Sequence, residues 1–301
     1  MTPSAVDESV SANQDSEASP SAVVPSVGRP IGLAFAGFAV AAVGSVAAAV
    51  LAAIVIAAVI TGTGGDVSSV ERRLTSDPML MIAIAAPAQL AILVTTFAFA
   101  LLTRRPIRSS LGWQRPALSF GEWTAILIGS GIPFAVAIGA ASIPPSLGGT
   151  AGLPEMWRTM APFQVVVWVL FIGAVPGVVE ELFFRGYVQR RFLERWKAPM
   201  AIGVTSVLFA LLHMDPPAMA LALVLGVWLG IVAWRTGSIW PGIAIHASIN
   251  GLWNLSQIVV RKSELDEQTI WIGVGVVGAV SLVAFVMSIR ILIRKSPPVL
   301  C

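Results

Sequence analysis

Two adjacent carboxylates, Glu180 and Glu181, interrupt an otherwise apolar run, Val-Pro-Gly-Val-Val-Glu-Glu-Leu-Phe-Phe-Arg. The chain's two histidines, His213 and His246, also stand in apolar surroundings, Leu-Phe-Ala-Leu-Leu-His and Pro-Gly-Ile-Ala-Ile-His-Ala-Ser-Ile-Asn. An ionisable group in such a run is expensive unless it is paired or wet, so its default reading is functional. A buried carboxylate can take a proton from water, and a histidine can position that water. A histidine with an amide such as Asn250 can donate hydrogen bonds to a developing oxyanion. The set fits hydrolysis of an acyl bond with no protein nucleophile. Glu180, His213 and His246 are equally a donor set for a divalent metal such as zinc, which would lower the pKa of a bound water. The zincin spacing His-Glu-x-x-His is absent. The residues alone leave both forms open, beside a bland one in which a Glu–Arg pair and two histidines hold a bundle together.

Helical spacing brings these groups toward one another. Glu181 and Arg185 are four apart and share a face, while Glu180 points about 100° away and is free for another task. The same interval puts Asn250 one turn beyond His246, and Phe209 one turn before His213. Measured from the helix ends expected on the cytoplasmic side, Glu180 lies roughly 13 Å deep, His246 roughly 12 Å, Asn250 roughly 18 Å and His213 roughly 21 Å. The expected site is an internal cavity opening toward the cytoplasm.

The elements that must position these groups follow from composition. Of 301 residues, 56% are hydrophobic and 12% are charged, against about 25% charged in an ordinary soluble domain. With a mean hydropathy of +0.84, there are too many apolar residues to hide in a core, and most must face lipid. Apolar runs near 31–60, 79–102, 123–144, 163–188, 217–234, 238–260 and 269–293, with a shorter one at 196–213, are of bilayer-spanning length. None alternates like a barrel strand. The predicted fold is an all-α polytopic membrane bundle of about eight transmembrane helices. It is divided into a disordered, acidic tail over residues 1–28 and a membrane-embedded domain over 29–295.

Eight spans put 14 of the 19 Lys and Arg on one side and 5 on the other. Cations accumulate on the cytoplasmic side, so both termini are expected there. Because these cations sit between apolar runs and form no single basic face, the net charge of +3 reports topology; nucleic acid is not an expected partner. The single cysteine, Cys301, excludes a disulfide framework and a cysteine-built zinc site. Sixteen Arg against three Lys in an Ala-rich chain read as bacterial, which places the protein in a bacterial plasma membrane. Gly226 and Gly230 give a small-xxx-small spacing for close helix approach. Pro176 and Gly177 are placed to loosen the helix just before the glutamates.

Three short patterns resemble one family. Glu180-Glu181-Leu182-Phe183-Phe184-Arg185 is similar to a Glu-Glu-x-x-x-Arg motif, Phe209 to His213 to Phe-x-x-x-His, and His246 to Asn250 to His-x-x-x-Asn. All three occur in order, across residues 163–255, in the CPBP family of CAAX prenyl endopeptidases and bacteriocin-processing or immunity (Abi) proteins. The resemblance implies an intramembrane endopeptidase acting on membrane-associated or lipidated peptides. It makes Glu180 the general base and gives His213 a part in activating water. His246 and Asn250 form the oxyanion hole, with Glu181, Arg185 and Phe209 in support. The family's label of metallopeptidase and a metal-independent glutamate mechanism both fit these residues. A non-enzymatic immunity, scaffold or transport protein that binds through the same polar cavity is the alternative. The expected partners are a membrane peptide or protein substrate and the bilayer, and the oligomeric state is left open.

Overall fold

The structure, a computed structural model, describes residues 28–103, 105–142, 153–263 and 265–295. The predicted tail, apart from Gly28, lies outside the described residues, as do Arg104 and Cys301. Every described element is helical. In hydrocarbon a backbone must close its hydrogen bonds within the segment, and these strand-free apolar runs can do so only as helices.

The order is α1 (Gly28–Gly62), α2 (Val67–Ser76), α3 (Pro78–Leu101), a single turn α4 (Ile107–Ser110), α5 (Phe120–Gly129), α6 (Gly131–Ser142), α7 (Leu153–Thr159) and α8 (Pro162–Glu181). A π-helical segment (Leu182–Val188) joins α8 to α9 (Gln189–Leu193), followed by α10 (Ala198–Leu211), α11 (Pro216–Thr236), α12 (Trp240–Lys262) and α13 (Glu267–Arg294). Five acids among the described residues serve at helix starts. Asp66, Asp77, Asp215 and Asp266 accept from backbone N–H groups of α2, α3, α11 and α13, and Ser119 with Glu122 forms a capping box on α5. The N–H of Ser69 beside Asp66, and that of Thr269 beside Asp266, hold these two exposed carboxyls below the usual carboxylate range.

Among the described residues, six helical stretches are long and apolar enough to cross a membrane: Arg29–Gly62, Pro78–Leu101, Phe120–Ala140, Pro162–Leu193, Pro216–Thr236 and Glu267–Arg294. Their outward faces carry unpaired apolar side chains such as Val43, Leu51, Val277 and Val283. A water-facing protein does not tolerate such surfaces at this extent; this is an integral membrane protein. The other two predicted runs are α10, only 14 residues long, and α12. The latter has the length of a span, but His246, Asn250, Asn254 and Gln257 lower its apolarity. It gives up apolar character along one seam because that seam faces α8.

The site is built on this pairing. α12 runs antiparallel to α8, with His246 level with Glu180 and Glu181, Asn250 level with Ile172, and Asn254 level with Trp168. Small residues set the distance. A Cβ on Gly177 would come 2.9 Å from the backbone nitrogen of Ala247, and one on Gly173 would come 3.0 Å from its oxygen, so neither position has room for a side chain. α3 packs on α8 beside α1, and α10 pairs with α11. There Gly226 backs onto Ser206 and Phe209, and Gly230 onto Ile202 and Gln189. The main apolar core collects around the π-helical segment, with Phe183, Phe184, Tyr187 and Phe192 fully buried.

Candidate functional site

Glu180 and Glu181 close α8, and the chain enters seven residues of π-helix that are all buried. Such wide turns are rare and tend to mark functional positions. The segment fits tightly under the loop at Leu111, whose carbonyl would lie 2.8 Å from any Cβ on Gly186. Within it Arg185 turns back on Glu181: Nη1 donates to Oε1 at 2.9 Å, and neither side chain has any exposed surface. The guanidinium also donates through Nη2 to the carbonyl of Gly226 at 3.2 Å and sits 4.4 Å from the centre of the Phe209 ring. A bare glycine at 226 leaves that carbonyl within reach. The pair is thus held by α8, the π-segment, α10 and α11 together.

The same Oε1 of Glu181 lies 3.0 Å from Nδ1 of His246. A carboxylate only accepts, so Nδ1 carries the hydrogen, and Nε2 is left facing Oε2 of Glu180 across 4.0 Å. Gly242, one turn before His246, makes room for this arrangement, because a Cβ there would meet the second oxygen of Glu181 at 2.7 Å. Glu180 and His246 are 7% and 6% exposed. Phe209 meets His246 and His213 edge-on, with centroids 5.9 and 5.0 Å away, and Phe184 meets Phe209 edge-on at 5.0 Å. A cavity of about 160 Å³ lies on the other flank of Arg185, lined also by Gln189, Arg190 and Ser238.

His213 follows the end of α10 in a tight turn. Its Nδ1 lies 3.0 Å from the carbonyl of Phe209, so Nδ1–H donates there and Nε2 is unspent. The next residue, Met214, has φ of 52°, a left-handed conformation that costs a side-chain-bearing residue energy. Asp215 then caps α11. This compact reversal sets His213 against Phe209.

Asn250 lies one turn beyond His246 along α12 and donates through Nδ2 to the carbonyl of Ile172 at 3.4 Å. That acceptor is left free by Pro176. A proline inside a helix has no N–H for the carbonyl four residues earlier, and for Pro176 that carbonyl belongs to Ile172. Asn250 fills the gap across the helix pair and keeps one amide hydrogen in hand. Below it, Asn254 donates to the carbonyl of Asn250 and accepts from Trp168 Nε1, which completes a polar seam between α12 and α8.

One contact was not legible in the motifs. Gln89 of α3 donates through Nε2 to Oε1 of Glu180 at 2.9 Å. The available signal was an amide in the apolar run Ala-Pro-Ala-Gln-Leu-Ala-Ile.

Ligand geometry bears on the metal form. Among the described residues, no three His, Cys, Asp or Glu side chains gather into a group that could hold a metal ion. Glu180 and His246 approach each other, but His213 does not join them in such a group, so these three do not fit a metal as placed.

Residues 162–252 match the profile of the type II CAAX prenyl endopeptidase Rce1-like family. No curated protein and no solved structure matches the chain. Glu180, Glu181, Arg185, Phe209, His213, His246 and Asn250 fall inside the matched segment; Gln89 and Asn254 lie outside it.

Proposed function

We propose, from the match of residues 162–252 to the type II CAAX prenyl endopeptidase Rce1-like family, that this chain hydrolyses peptide bonds of lipidated or membrane-anchored substrates. The hydrolytic agent is a water activated by Glu180. The observation that carries the mechanism is the 4.0 Å gap between Glu180 Oε2 and His246 Nε2. A water about 2.8 Å from both atoms subtends roughly 90° at its oxygen, close to its own H–O–H angle. It can therefore donate one hydrogen to each and turn a lone pair toward a substrate carbonyl.

As the water attacks, Glu180 takes one of its protons; when the tetrahedral intermediate collapses, Glu180 returns that proton to the departing amine. The hydrogen bonds favour His246 on the water, since its one donor is spent on Glu181. Asn250, with an amide hydrogen not used by Ile172, is the donor for the oxyanion. His213 supplies a second imidazole with a free Nε2 for proton exchange. Glu181 and Arg185 hold the tautomer and orientation of His246. No step runs through a metal, because the donors do not gather around one point. The bilayer delivers the substrate; the charge asymmetry supports both termini in the cytoplasm, and the Arg-over-Lys, Ala-rich composition supports a bacterial plasma membrane.

The test is cleavage by purified protein in liposomes, using a prenylated peptide ending in a CAAX box beside an unlipidated membrane-anchored peptide. Cleavage of at least one is expected, and it should survive exhaustive chelation. Activity lost on chelation and restored by zinc would replace the glutamate mechanism with the metal-dependent one. Cleavage of neither would leave the polar site a binding site only.

A further inference from the structure

The matched segment begins at residue 162, yet the carboxylate at its centre is held from outside it. Glu180 Oε1 receives a hydrogen bond of 2.9 Å from Gln89 Nε2 on α3, 91 residues earlier in the chain. With Oε1 engaged, the other oxygen, Oε2, is the one that faces His246. Resting on the reading of Glu180 as the general base, we infer that Gln89 is a positioning residue: it fixes the rotation of the Glu180 carboxylate, so that Oε2 is presented to the water site.

The other end of the amide separates this role from packing. Gln89 Oε1 is buried and has no hydrogen-bond partner among the described residues. A buried acceptor left unpaired is a net cost to the fold, and the surroundings are apolar helix in a bilayer, where an aliphatic side chain would incur no such cost. An amide at 89 is therefore a poor choice for stability and a good one for Glu180, whose oxygen needs a donor that brings no charge. A lysine or arginine there would neutralise the carboxylate, whereas the amide orients it and leaves its charge available. His246 of α12 approaches Glu180 at Oε2, while Arg185 hydrogen-bonds Glu181 and the Gly226 carbonyl. Pro87 lies inside α3 two residues before Gln89, as Pro176 lies inside α8 four residues before Glu180. Both helices are interrupted close to the contact.

The experiment compares Gln89→Met, which keeps the volume and removes both polar ends, with Gln89→Glu, which keeps the length and removes the donor. Both are measured in liposomes beside wild type and Glu180→Gln. For Gln89→Met, kcat should fall about 10- to 100-fold, as expected for a misplaced reacting group, with KM changed by less than about threefold. Its thermal midpoint should equal or exceed that of wild type. Gln89→Glu should lose at least as much in kcat. A kcat at the wild-type level in Gln89→Met, or a lowered thermal midpoint in that variant, overturns the assignment. If Glu180→Gln is inactive while Gln89→Met is fully active, the inference fails and the proposed mechanism stands. If Glu180→Gln keeps full activity, the mechanism fails first and takes the inference with it.

Discussion

Glu180→Gln should cut kcat/KM by about 10²- to 10⁴-fold, the usual contribution of a positioned general base, while the protein still folds. Glutamine has the shape of glutamate and can still accept from Gln89 through its carbonyl oxygen, so the local packing survives. What it cannot do is take a proton from water. Its NH₂ group would also face Nε2 of His246 in place of an oxygen at 4.0 Å and could donate to it, closing the gap in which the water is held. Stability should be unchanged or improved, because a carboxylate that is 7% exposed carries a desolvation cost that the amide does not. Circular dichroism and thermal unfolding in detergent check the fold, and the cleavage assay checks the loss. A variant that folds and cleaves at the wild-type rate would remove Glu180 from the chemistry.

Arg185→Met should be the most destabilising single change at the site, at roughly 3–5 kcal/mol, the range for removing one partner from a buried ion pair. Neither Arg185 nor Glu181 has exposed side-chain surface, so the stranded carboxylate has no water to turn to. The change also removes the donor to the Gly226 carbonyl and the cation over the Phe209 ring, and with them the link between the π-segment, α10 and α11. Lysine should not restore the wild type, since it cannot serve two acceptors with the planar fork of arginine. Adding Glu181→Gln to Arg185→Met should recover much of the stability, because a neutral pair replaces a lone charge. It should not recover full activity, because an amide oxygen holds Nδ1 of His246 less firmly than the carboxylate it replaces. Thermal unfolding of the single and double variants decides this, and a cost below about 1 kcal/mol for Arg185→Met would show that the pair is not what binds these helices.

What could be read from the sequence was what the membrane makes conspicuous. Glu180, Glu181, His213 and His246 stood out because charge and imidazole are costly in apolar runs, and helical spacing put Arg185 under Glu181. Gln89 did not stand out, since a neutral amide in a span is a weaker anomaly and nothing local shows what it will meet 91 residues later. The position of Asn250 was partly recoverable. Pro176 frees the carbonyl of Ile172 by a fixed rule of helix geometry, but that Asn250 answers it depends on the antiparallel register of α12, which Gly173 and Gly177 allow through close backbone contact. The π-helical segment left no trace in the periodicity, because Leu182–Val188 is buried on all sides and so has no polar face to reveal its pitch. The runs at 196–213 and 238–260 are helical, as α10 and α12, yet fall outside the six stretches that meet the length and apolarity of a span. One is short, and the other is diluted by the same polar residues that make the site.

The most direct test of the account is a double-mutant cycle on Glu180→Gln and His246→Gln, read as kcat/KM in liposomes. If one water lies between Glu180 Oε2 and His246 Nε2, the two side chains act as a unit, and the double variant should lose no more than the worse single variant. Losses that multiply would mean that the two residues act on different atoms, and would contradict the shared water on which the mechanism rests.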